Sequence, residues 1–370
     1  MINFNVPPYV GTEMGYVRQA AEVNRKICGD GPFTRKCHAW MEERFGAEKA
    51  LLTTSCTSAL EMAATLCGLR PGDEVILPSF TFSSTATAFV AEGATLVFVD
   101  IRPDTLNLDE SKIEHAITER TRVIVPVHYA GVSCEMDEII RIARRHDLMV
   151  VEDAAQAFGA WRRVENRIAR AGAVGDVGCY SFFPTKNLGG CGDGGMVVTR
   201  DAGRAERLRR LRVHGEERTY FHEEVGLNSR LDALQAAILD VKLPHLERWN
   251  ADRRLCADRY RLLFESRGLT DRVTLPEELA GNHHIYHQYV VRVPDRDRLM
   301  AHLDGLGLTT RVYYPLPLHL QPCFAFLGGR PGDCPQAERL SQESLALPIF
   351  PGLEAEEQER LVEAIAAFPA

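Results

Sequence analysis

Hydrophobic and polar positions along this chain form two alternating kinds of segment. Short apolar runs, such as Glu74-Val75-Ile76-Leu77 and Met149-Val150-Val151, have the length of buried strands. Between such runs, apolar residues recur three and four positions apart, which indicates helices that bury one face. Strands that alternate with helices in this way usually form a mainly parallel sheet with helices on both faces. The pattern therefore predicts an α/β fold.

The same pattern places the elements along the chain. Apolar runs predict strands at 50–54, 74–77, 95–100, 123–128, 149–151 and 196–199. Helical spacing predicts helices at 34–45, 58–68, 109–117, 136–146 and 204–212. The polar segment 162–173 is expected to be a loop. A change of character near residue 250 divides the chain into an irregular arm at 1–30, a large domain at 31–249 and a smaller C-terminal domain at 250–370.

Composition and charge narrow the class of protein. The chain has 370 residues, 45% of them hydrophobic, which is enough for a full core. A formal charge of −8 and a pI of about 5.9 argue against nucleic-acid binding. No apolar stretch reaches the roughly 18 residues of a membrane span, and the first residues lack the features of a secretory signal. Ten cysteines without metal-like spacing predict reduced thiols, so we expect a cytoplasmic protein.

One lysine stands in an apolar, aromatic and glycine-rich stretch. Lys186 follows Ser181-Phe182-Phe183-Pro184-Thr185 and precedes a run of glycines. Bulky neighbours and the lack of a close acid in sequence predict poor solvation, which disfavours the ammonium form. A neutral amine is what a lysine needs to form a Schiff base with a cofactor aldehyde. An ordinary exposed loop lysine is the alternative interpretation.

An acid lies upstream at the end of a predicted strand. Asp153 ends the run Met149-Val150-Val151-Glu152-Asp153, and ligands of α/β sheets gather beyond the carboxyl ends of strands. An aspartate there could keep a pyridine nitrogen protonated and make the ring an electron sink. It could equally be a helix cap. The pair formed with Lys186 favours the catalytic interpretation.

Two other motifs point to ligands that their context argues against. Residues 190–195 formally match the dinucleotide pattern GxGxxG, but they lead into a strand instead of opening a helix. Those glycines are better explained by a backbone that passes close to a cofactor. His283, His284 and His287 lie close together, but no carboxylate completes a ligand set, so we expect no metal site.

Three motifs together resemble the DegT/DnrJ/EryC1/StrS family. They are Glu152-Asp153-Ala154-Ala155-Gln156, Ser181-Phe182-Phe183-Pro184-Thr185-Lys186-Asn187 and Gly192-Asp193-Gly194-Gly195. Members of this family are pyridoxal 5'-phosphate (PLP) dependent sugar aminotransferases of fold type I. The resemblance covers almost the whole chain. It implies a mainly parallel central sheet with helices on both faces, a smaller α+β C-terminal domain, and PLP as cofactor.

The resemblance also implies a role for each cofactor-binding residue. Lys186 would hold PLP covalently, and Asp153 would keep its pyridine nitrogen protonated. Phe82 would stack on the ring, and Phe80 is the alternative. Both could instead be ordinary core residues, as most phenylalanines are. Gln156 would bond the ring hydroxyl. The residues expected at the phosphate are Cys56, Thr57, Ser58 and Ser181, together with Asn228 from the partner subunit of a homodimer. Tyr313 and His319 are expected to face the substrate.

The helix expected at 58–68 carries the predicted phosphate site at its start. Ser58 and Glu61 have the spacing of a capping box, which predicts that the helix starts there. Free N–H groups at a helix start, with the hydroxyls of Thr57 and Ser58, would bind a phosphate. Most capping boxes only start a helix, and the resemblance is what favours the phosphate here.

For the substrates, the resemblance implies L-glutamate as amino donor and a nucleotide-linked keto-6-deoxy sugar as acceptor. Segments 51–82 and 102–104 look closest to 4-aminotransferases that act on dTDP-4-keto-6-deoxy-D-glucose, so this sugar is the first choice. Segment 221–235 looks as much like the 3-amino branch, so a 3-keto sugar is the alternative. A related sugar dehydratase is disfavoured, because those enzymes carry histidine in place of Lys186. A non-enzymatic regulatory protein is disfavoured by the lack of a helix-turn-helix motif or a basic patch.

Overall fold

The computed structural model describes residues 2–164 and 167–369 of the chain. Strands β1 to β14 are Lys49–Thr53, Glu74–Pro78, Thr95–Val99, Thr121–Ile124, Met149–Asp153, Trp161–Val164, Arg167–Arg170, Val177–Ser181, Gly195–Thr199, Glu216–Arg218, Phe221–His222, Asn282–His283, Tyr289–Arg292 and Ser344–Leu347. Helices α1 to α12 are Glu13–Arg18, Pro32–Phe45, Cys56–Cys67, Ser83–Ala91, Glu110–Ala116, Met136–Arg145, Ala202–Leu211, Ala233–Lys242, Leu246–Ser266, Arg296–Gly305, Pro335–Glu343 and Ala355–Ala367. None of the helices in this described part is long and apolar enough to cross a membrane.

Seven strands form the central sheet, in the spatial order β1-β9-β8-β5-β4-β2-β3. Neighbours from β8 to β3 pair in parallel, whereas β9 runs antiparallel to both β8 and β1. The predicted mainly parallel α/β sheet is confirmed, with one reversed strand. That strand follows β8 through a loop without a crossover helix, and such a connection can join antiparallel neighbours.

Successive residues of the buried strands face two different layers of helices. On β2, Val75 and Leu77 pack in one cluster with α3 and α4, while Ile76 packs in another with α5 and α6. All three side chains are completely buried, as expected for a strand covered on both faces. On α6, Ile139 and Ile142 lie on the buried side, at the spacing of one helix face.

Helix α9 belongs to two hydrophobic cores. Its first residue, Leu246, packs in the core around β1, β8 and β9. Its later residues Tyr260 and Phe264 lie in a separate core with β13, β14, α10 and α12, which Ile2 also joins. The boundary expected near residue 250 therefore falls inside a continuous helix. The division into three domains stays a prediction.

Two segments have more secondary structure than the sequence predicted. The arm at 1–30, expected to be irregular, contains α1 and a π-helical turn, Gln19–Val23. The segment 162–173, expected to be a loop, contains most of the hairpin β6–β7, whose outer neighbour is β12. Arginines occupy much of this hairpin, so the apolar alternation that marks a strand is missing. Pairing with the distant β12 supplies the hydrogen bonds that the local pattern did not indicate.

Candidate active site

Asp153 is the last residue of β5 and lies at the carboxyl edge of the central sheet. Its side chain is buried, and each oxygen has its own donor. Oδ2 accepts a hydrogen bond of 2.7 Å from the hydroxyl of Thr85, and Oδ1 accepts one of 3.0 Å from the backbone N–H of Ala155. These two bonds orient the carboxylate toward the edge where ligands of α/β sheets bind.

A second buried acid supports the position of the first. The carboxylate of Glu152 lies 2.8 Å from Nε2 of His128 and accepts backbone N–H bonds from Gly172, Val174 and Gly175. Burial alone would raise the pKa of Glu152, but these donors hold it below its usual value. Nδ1 of His128 accepts the backbone N–H of Cys134, so the ring proton lies on Nε2 and points at Glu152.

Lys186 lies on the loop between β8 and β9, where its backbone N–H donates to the carbonyl of Phe183 at 2.8 Å. Its side chain is only partly exposed. Burial lowers the pKa of its ammonium group, and the neighbouring Cys56 and Asp153 partly offset this effect. Burial also raises the pKa of the Cys56 thiol, so the carboxylate of Asp153 is the negative charge that acts on the lysine. The structure brings Lys186 and Asp153 into one site.

The start of α3 lies at the same edge of the sheet. Helix α3 begins at Cys56, and the side chain of Ser55 is its N-cap, accepting the backbone N–H of Ser58 at 3.0 Å. The capping box of Ser58 and Glu61 predicted Ser58 as the N-cap, which is therefore wrong by three residues. Since the first N–H groups of a helix have no partner within it, those of Cys56 and Thr57 can bind an anion.

Close backbone packing at Gly195 brings β8 and β9 against the start of α3. A Cβ atom on Gly195 would lie 2.3 Å from the carbonyl carbon of Ser55, so a larger residue would push the helix away. Ser181, at the end of β8, is the pairing partner of Gly195. Its hydroxyl accepts the backbone N–H of Phe183 at 3.3 Å. The predicted phosphate residues of α3 and β8 are thus neighbours in space.

The two candidate stacking residues have different surroundings. Phe80 is 1% exposed and packs edge-on against Tyr314, so it belongs to the core. Phe82, in contrast, is 58% exposed immediately before α4, with its ring centroid 6.5 Å from that of Tyr314. Gln156 accepts the backbone N–H of Ala130 at 2.6 Å and donates to the hydroxyl of Tyr314 at 3.2 Å, which holds its amide at the same edge.

The residues predicted to face substrate, Tyr313 and His319, differ in their burial and in their hydrogen-bond partners. The ring of Tyr313 is partly buried beside Tyr314, with centroids 6.0 Å apart. His319 is 3% exposed, with Nδ1 2.6 Å from the hydroxyl of Ser79 and Nε2 3.1 Å from Glu338. Because both ring nitrogens of His319 have partners, its contacts do not support the predicted role in substrate binding. A structural role between β2 and α11 explains them.

Asn228, unlike Tyr313 and His319, is exposed to solvent. It lies on the segment that follows the hairpin β10–β11. Its backbone pairs with Val213 as an isolated bridge. Within the protomer, no hydrogen bond of the described residues holds its side chain, so it points into solvent or toward another molecule.

Sequence reasoning missed a buried polar group behind Lys186. Oδ1 of Asn187 accepts a hydrogen bond of 3.0 Å from Nδ1 of His287. Nδ2 of Asn187 donates one of 2.7 Å to Oδ1 of Asn250. All three residues are at most 7% exposed. Burial lowers the pKa of His287 well below its usual value, and the charge of Lys186 lowers it further. The only local signal was a histidine in the polar and aromatic segment 282–289, and a lone histidine more often marks an ordinary structural residue.

The three histidines considered as metal ligands have separate environments. His283 stacks on Trp161 with ring centroids 4.9 Å apart, His284 stacks on Tyr286, and His287 bonds Asn187. Across residues 2–164 and 167–369, no group of three or more His, Cys, Asp or Glu side chains has the arrangement of a metal site. All ten cysteines are free thiols.

Together these residues match the chemical needs of PLP. The exposed ring of Phe82 would contact a flat cofactor ring, and the buried carboxylate of Asp153 would pair with a ring nitrogen. The start of α3 would bind a phosphate, and the amine of Lys186 would bind an aldehyde. When bound, PLP would withdraw electrons from a carbon of the substrate, and these residues would hold the cofactor.

Comparison with known proteins identifies relatives over nearly the whole chain. A pleiotropic regulatory protein of Geobacillus stearothermophilus is 47% identical over 346 residues, which are 93% of this chain and 91% of that protein. A UDP-N-acetyl-3-dehydro-alpha-D-glucosamine 3-aminotransferase of Acidithiobacillus ferrooxidans is 44% identical over 311 residues, 84% of this chain and 82% of the relative.

Solved structures agree with these relatives. DesV of S. venezuelae, in complex with a ketimine intermediate, superposes with a TM-score of 0.90 at 38% identity, covering 97% of this chain and 95% of DesV. NtdA of Bacillus subtilis, solved with bound cofactor PMP, has a TM-score of 0.87 at 30% identity and covers 99% of this chain and 85% of NtdA. The DegT/DnrJ/EryC1/StrS aminotransferase family matches residues 10–366. The chain therefore belongs to this family, and it is a PLP-dependent aminotransferase of fold type I.

Proposed function

We propose that this enzyme transfers an amino group from L-glutamate to a nucleotide-linked keto sugar. The observation that carries the proposal is the juxtaposition of Lys186, whose pKa is lowered by burial, with the buried carboxylate of Asp153. Amino transfer needs a base that moves one proton and an acid that keeps the cofactor ring electron-deficient. These two residues supply both functions.

Each side chain has a separate task in this mechanism. The neutral amine of Lys186 takes a proton from the α-carbon of the donor. In the second half of the reaction, it gives a proton to the carbon of the acceptor sugar that carries the new amine. Asp153, oriented by Thr85, holds a proton on the ring nitrogen of PLP. Phe82 covers one face of the ring and excludes water from it. Gln156, oriented by Ala130 and Tyr314, donates to the ring hydroxyl.

The phosphate is held by the positive end of α3. The backbone N–H groups of Cys56 and Thr57 point out of the helix start, where the helix dipole also attracts an anion. The hydroxyls of Ser58 and Ser181 lie beside them, and Asn228 of the partner subunit completes the set. Since no side chain in this group carries a positive charge, the backbone provides most of the attraction.

We propose a 3-keto sugar as the acceptor. The Acidithiobacillus relative at 44% identity is named as a 3-aminotransferase of a UDP-linked sugar. The resemblance in sequence favours dTDP-4-keto-6-deoxy-D-glucose, partly through residues 102–104. In the structure Arg102 forms ion pairs of 2.6 Å with Asp104 and with Glu110, so that motif has a structural explanation. The 4-keto sugar is the second candidate.

A second copy of the chain completes the site in this proposal. The hairpin β10–β11 and the residues after it expose Tyr220 by 87%, Phe221 by 54% and Val225 by 92%. So many exposed apolar side chains on one short segment indicate a protein contact. Asn228 follows directly on the same segment, so a partner that covers these residues also receives Asn228.

The two rival functions lack comparable support. A sugar dehydratase of this family has histidine at the position of Lys186, and this chain has the lysine in a partly buried place. The Geobacillus relative is named as a regulatory protein, and that name says nothing about which reaction this chain catalyses. A purely regulatory protein would have no use for an acid and an amine held together in this way.

Reductive trapping tests the enzyme assignment. We expect borohydride reduction of the PLP-loaded protein to leave the cofactor attached to the peptide that contains Lys186, as read by mass spectrometry. Lys186→Ala removes the attachment, and Lys112→Ala, at an exposed surface lysine, keeps it. Attachment at another lysine, or none in the native chain, contradicts the proposal.

Product analysis tests the acceptor. The enzyme is incubated with L-glutamate and, separately, with UDP-linked 3-keto and dTDP-linked 4-keto sugars, and NMR locates the new amine. An amine at C3 agrees with the first candidate and an amine at C4 with the second. If neither sugar is aminated while glutamate still converts the cofactor, the sugar assignment is wrong and the aminotransferase assignment stands.

A further inference from the structure

A groove lined by arginines lies on the large sheet away from the active site. Its cavity volume is about 790 Å³, within the size range of small-molecule sites. Six arginines line it: Arg44, Arg141, Arg144, Arg167, Arg170 and Arg200. We call this feature the arginine groove. The chain as a whole carries a net charge of −8, so the groove is a local exception.

The groove lies at the opposite end of the sheet from Lys186. Gly46 precedes β1, Val174 precedes β8 and Arg200 follows the reversed strand β9, so all three lie at the amino edge of the parallel strands. The active-site residues Asp153 and Ser181 end β5 and β8 at the carboxyl edge. A strand of five residues separates the two edges by roughly 16 Å. The groove is therefore separate from the cofactor site.

Few carboxylates neutralise the arginines of the groove. Arg44 pairs with Glu247 and Arg141 with Glu138. Within the described parts of the chain the other four form no ion pair. Among the described residues the one acid that lines the groove is Asp137, which is bound at 3.1 Å to Arg162, a residue outside the groove. The groove thus keeps an excess of positive charge, which a polyanion can neutralise.

The arginines are close enough to affect one another. Nε of Arg170 donates to the backbone carbonyl of Arg44 at 2.8 Å. Burial lowers the pKa of Arg170, and the charge of Arg44 lowers it further. Without an anion, this arrangement holds like charges together at a cost in free energy. A bound anion would relieve that repulsion.

Apolar side chains form part of the same wall. Ile168 is 58% exposed between Arg167 and Ala169 on β7, and Ile140 and Phe45 also line the groove. An exposed isoleucine among arginines offers an apolar surface against which an aromatic ring can pack. A ligand that combines several negative charges with one ring has a contact for each part.

From this combination we infer that the arginine groove binds a nucleoside di- or triphosphate. The phosphates lie against Arg144 and Arg167, which have no ion-pair partner among the described residues, and the base lies on Ile168. Arginine is suited to phosphate because its planar group donates two parallel hydrogen bonds. The site is additional to the catalytic one and needs no nucleotide sugar.

Calorimetric titration of the PLP-loaded enzyme tests the inference, because the cofactor occupies the phosphate site of α3. The probes are ADP, inorganic tripolyphosphate and adenosine at low salt. We expect ADP and tripolyphosphate to bind and adenosine not to bind. In the double variant Arg144→Gln/Arg167→Gln, the Kd for ADP rises by about tenfold or more. The control Arg261→Gln/Arg298→Gln removes the same charge from α9 and α10 and changes Kd by less than about twofold.

A second variant separates the apolar contact from general charge attraction. Ile168→Ser is expected to weaken ADP but not tripolyphosphate. Circular dichroism confirms that each variant is folded. The inference is overturned if neither anion binds, if adenosine binds as well as ADP, or if Arg144→Gln/Arg167→Gln weakens ADP binding no more than the control double variant does, which would place ADP elsewhere. It is also overturned if Ile168→Ser affects both anions alike.

Discussion

Nδ1 of His287 lies 3.0 Å from Oδ1 of Asn187, the residue that follows Lys186 in the chain. The contact is buried and joins the lysine loop to the segment between β12 and β13. Through Asn187 it continues to Asn250 on α9 at 2.7 Å. The loop that carries Lys186 is therefore tied to the first part of α9, the helix that packs in both hydrophobic cores.

We predict energetic coupling between His287 and Asn187. Each single change to alanine leaves the partner's buried polar atom unsatisfied, whereas the double change removes both atoms. Urea unfolding of the two single variants and the double variant should give a coupling energy of about 0.5–3 kcal/mol. The exposed pair Arg339 and Glu343 serves as a control, with an expected coupling of about 0.3–0.5 kcal/mol. Additive effects at His287 and Asn187 would show that the contact contributes nothing.

We predict that acid destabilises the fold through buried neutral histidines. Nε2 of His38 and Nδ1 of His284 each accept a backbone N–H, from Leu52 and Tyr286. Burial lowers the pKa of both histidines to about 3, while an unfolded histidine has a pKa of about 6.5. As the pH falls below about 6.5, the unfolded state binds protons that the folded state does not, so stability falls until about pH 3.

The measurement is the free energy of unfolding at pH 7, 6 and 5. Each of these histidines contributes a slope of up to about 1.4 kcal/mol per pH unit. His284→Gln should reduce the slope, whatever its effect at pH 7. His115→Gln, at an exposed histidine, should leave it unchanged. Equal slopes in all three proteins would mean that His284 takes up its proton without unfolding.

Loss of Glu152, the buried acid that precedes Asp153, should damage the fold. Glu152→Ala removes the acceptor for His128 and for three backbone N–H groups. We expect a loss of about 3–5 kcal/mol in the free energy of unfolding, because buried donors remain without partners. Glu138→Ala removes an exposed ion pair and should cost less than about 1 kcal/mol. Similar costs for the two changes would contradict this prediction.

The hydroxyl of Thr85 should affect catalysis through Asp153. Thr85→Val removes the 2.7 Å bond to Oδ2 while keeping the shape of the side chain. A hydrogen bond to a charged group is worth about 1.5–3 kcal/mol, so we expect kcat to fall by roughly tenfold to a hundredfold. Thr87→Val lies on the same helix at an exposed position and should leave kcat unchanged. A normal turnover rate for Thr85→Val would remove Thr85 from the catalytic arrangement.

Phe82 and Phe80 should respond oppositely to truncation. Phe82→Ala leaves the stability of the cofactor-free protein unchanged, because the ring is 58% exposed. It weakens PLP binding by about threefold to tenfold, the value of an aromatic contact. Phe80→Ala opens a cavity in the core and costs about 3–5 kcal/mol of stability. Fluorescence titration with PLP and urea unfolding measure the two quantities, and the reverse result would exchange the two roles.

The sequence by itself determined the fold class and the family, and it predicted the main chemical groups of the site. Lys186 and Asp153 each lie in a motif whose members are close in the chain, so their surroundings are partly local. Alternating strands and helices predicted the parallel sheet, and a parallel sheet brings strand ends to one edge. The central sheet and the family follow from these local patterns.

Only the tertiary structure decided the contacts between distant segments. His287 and Asn187 are 100 positions apart, and nothing in either neighbourhood indicates the other. The hairpin β6–β7 gains its outer partner from β12, and its arginines meet those of α2 and α6 only in the folded chain. The physical reason is that local patterns record which side of an element is buried. They do not record which element will cover it or which polar groups will meet there.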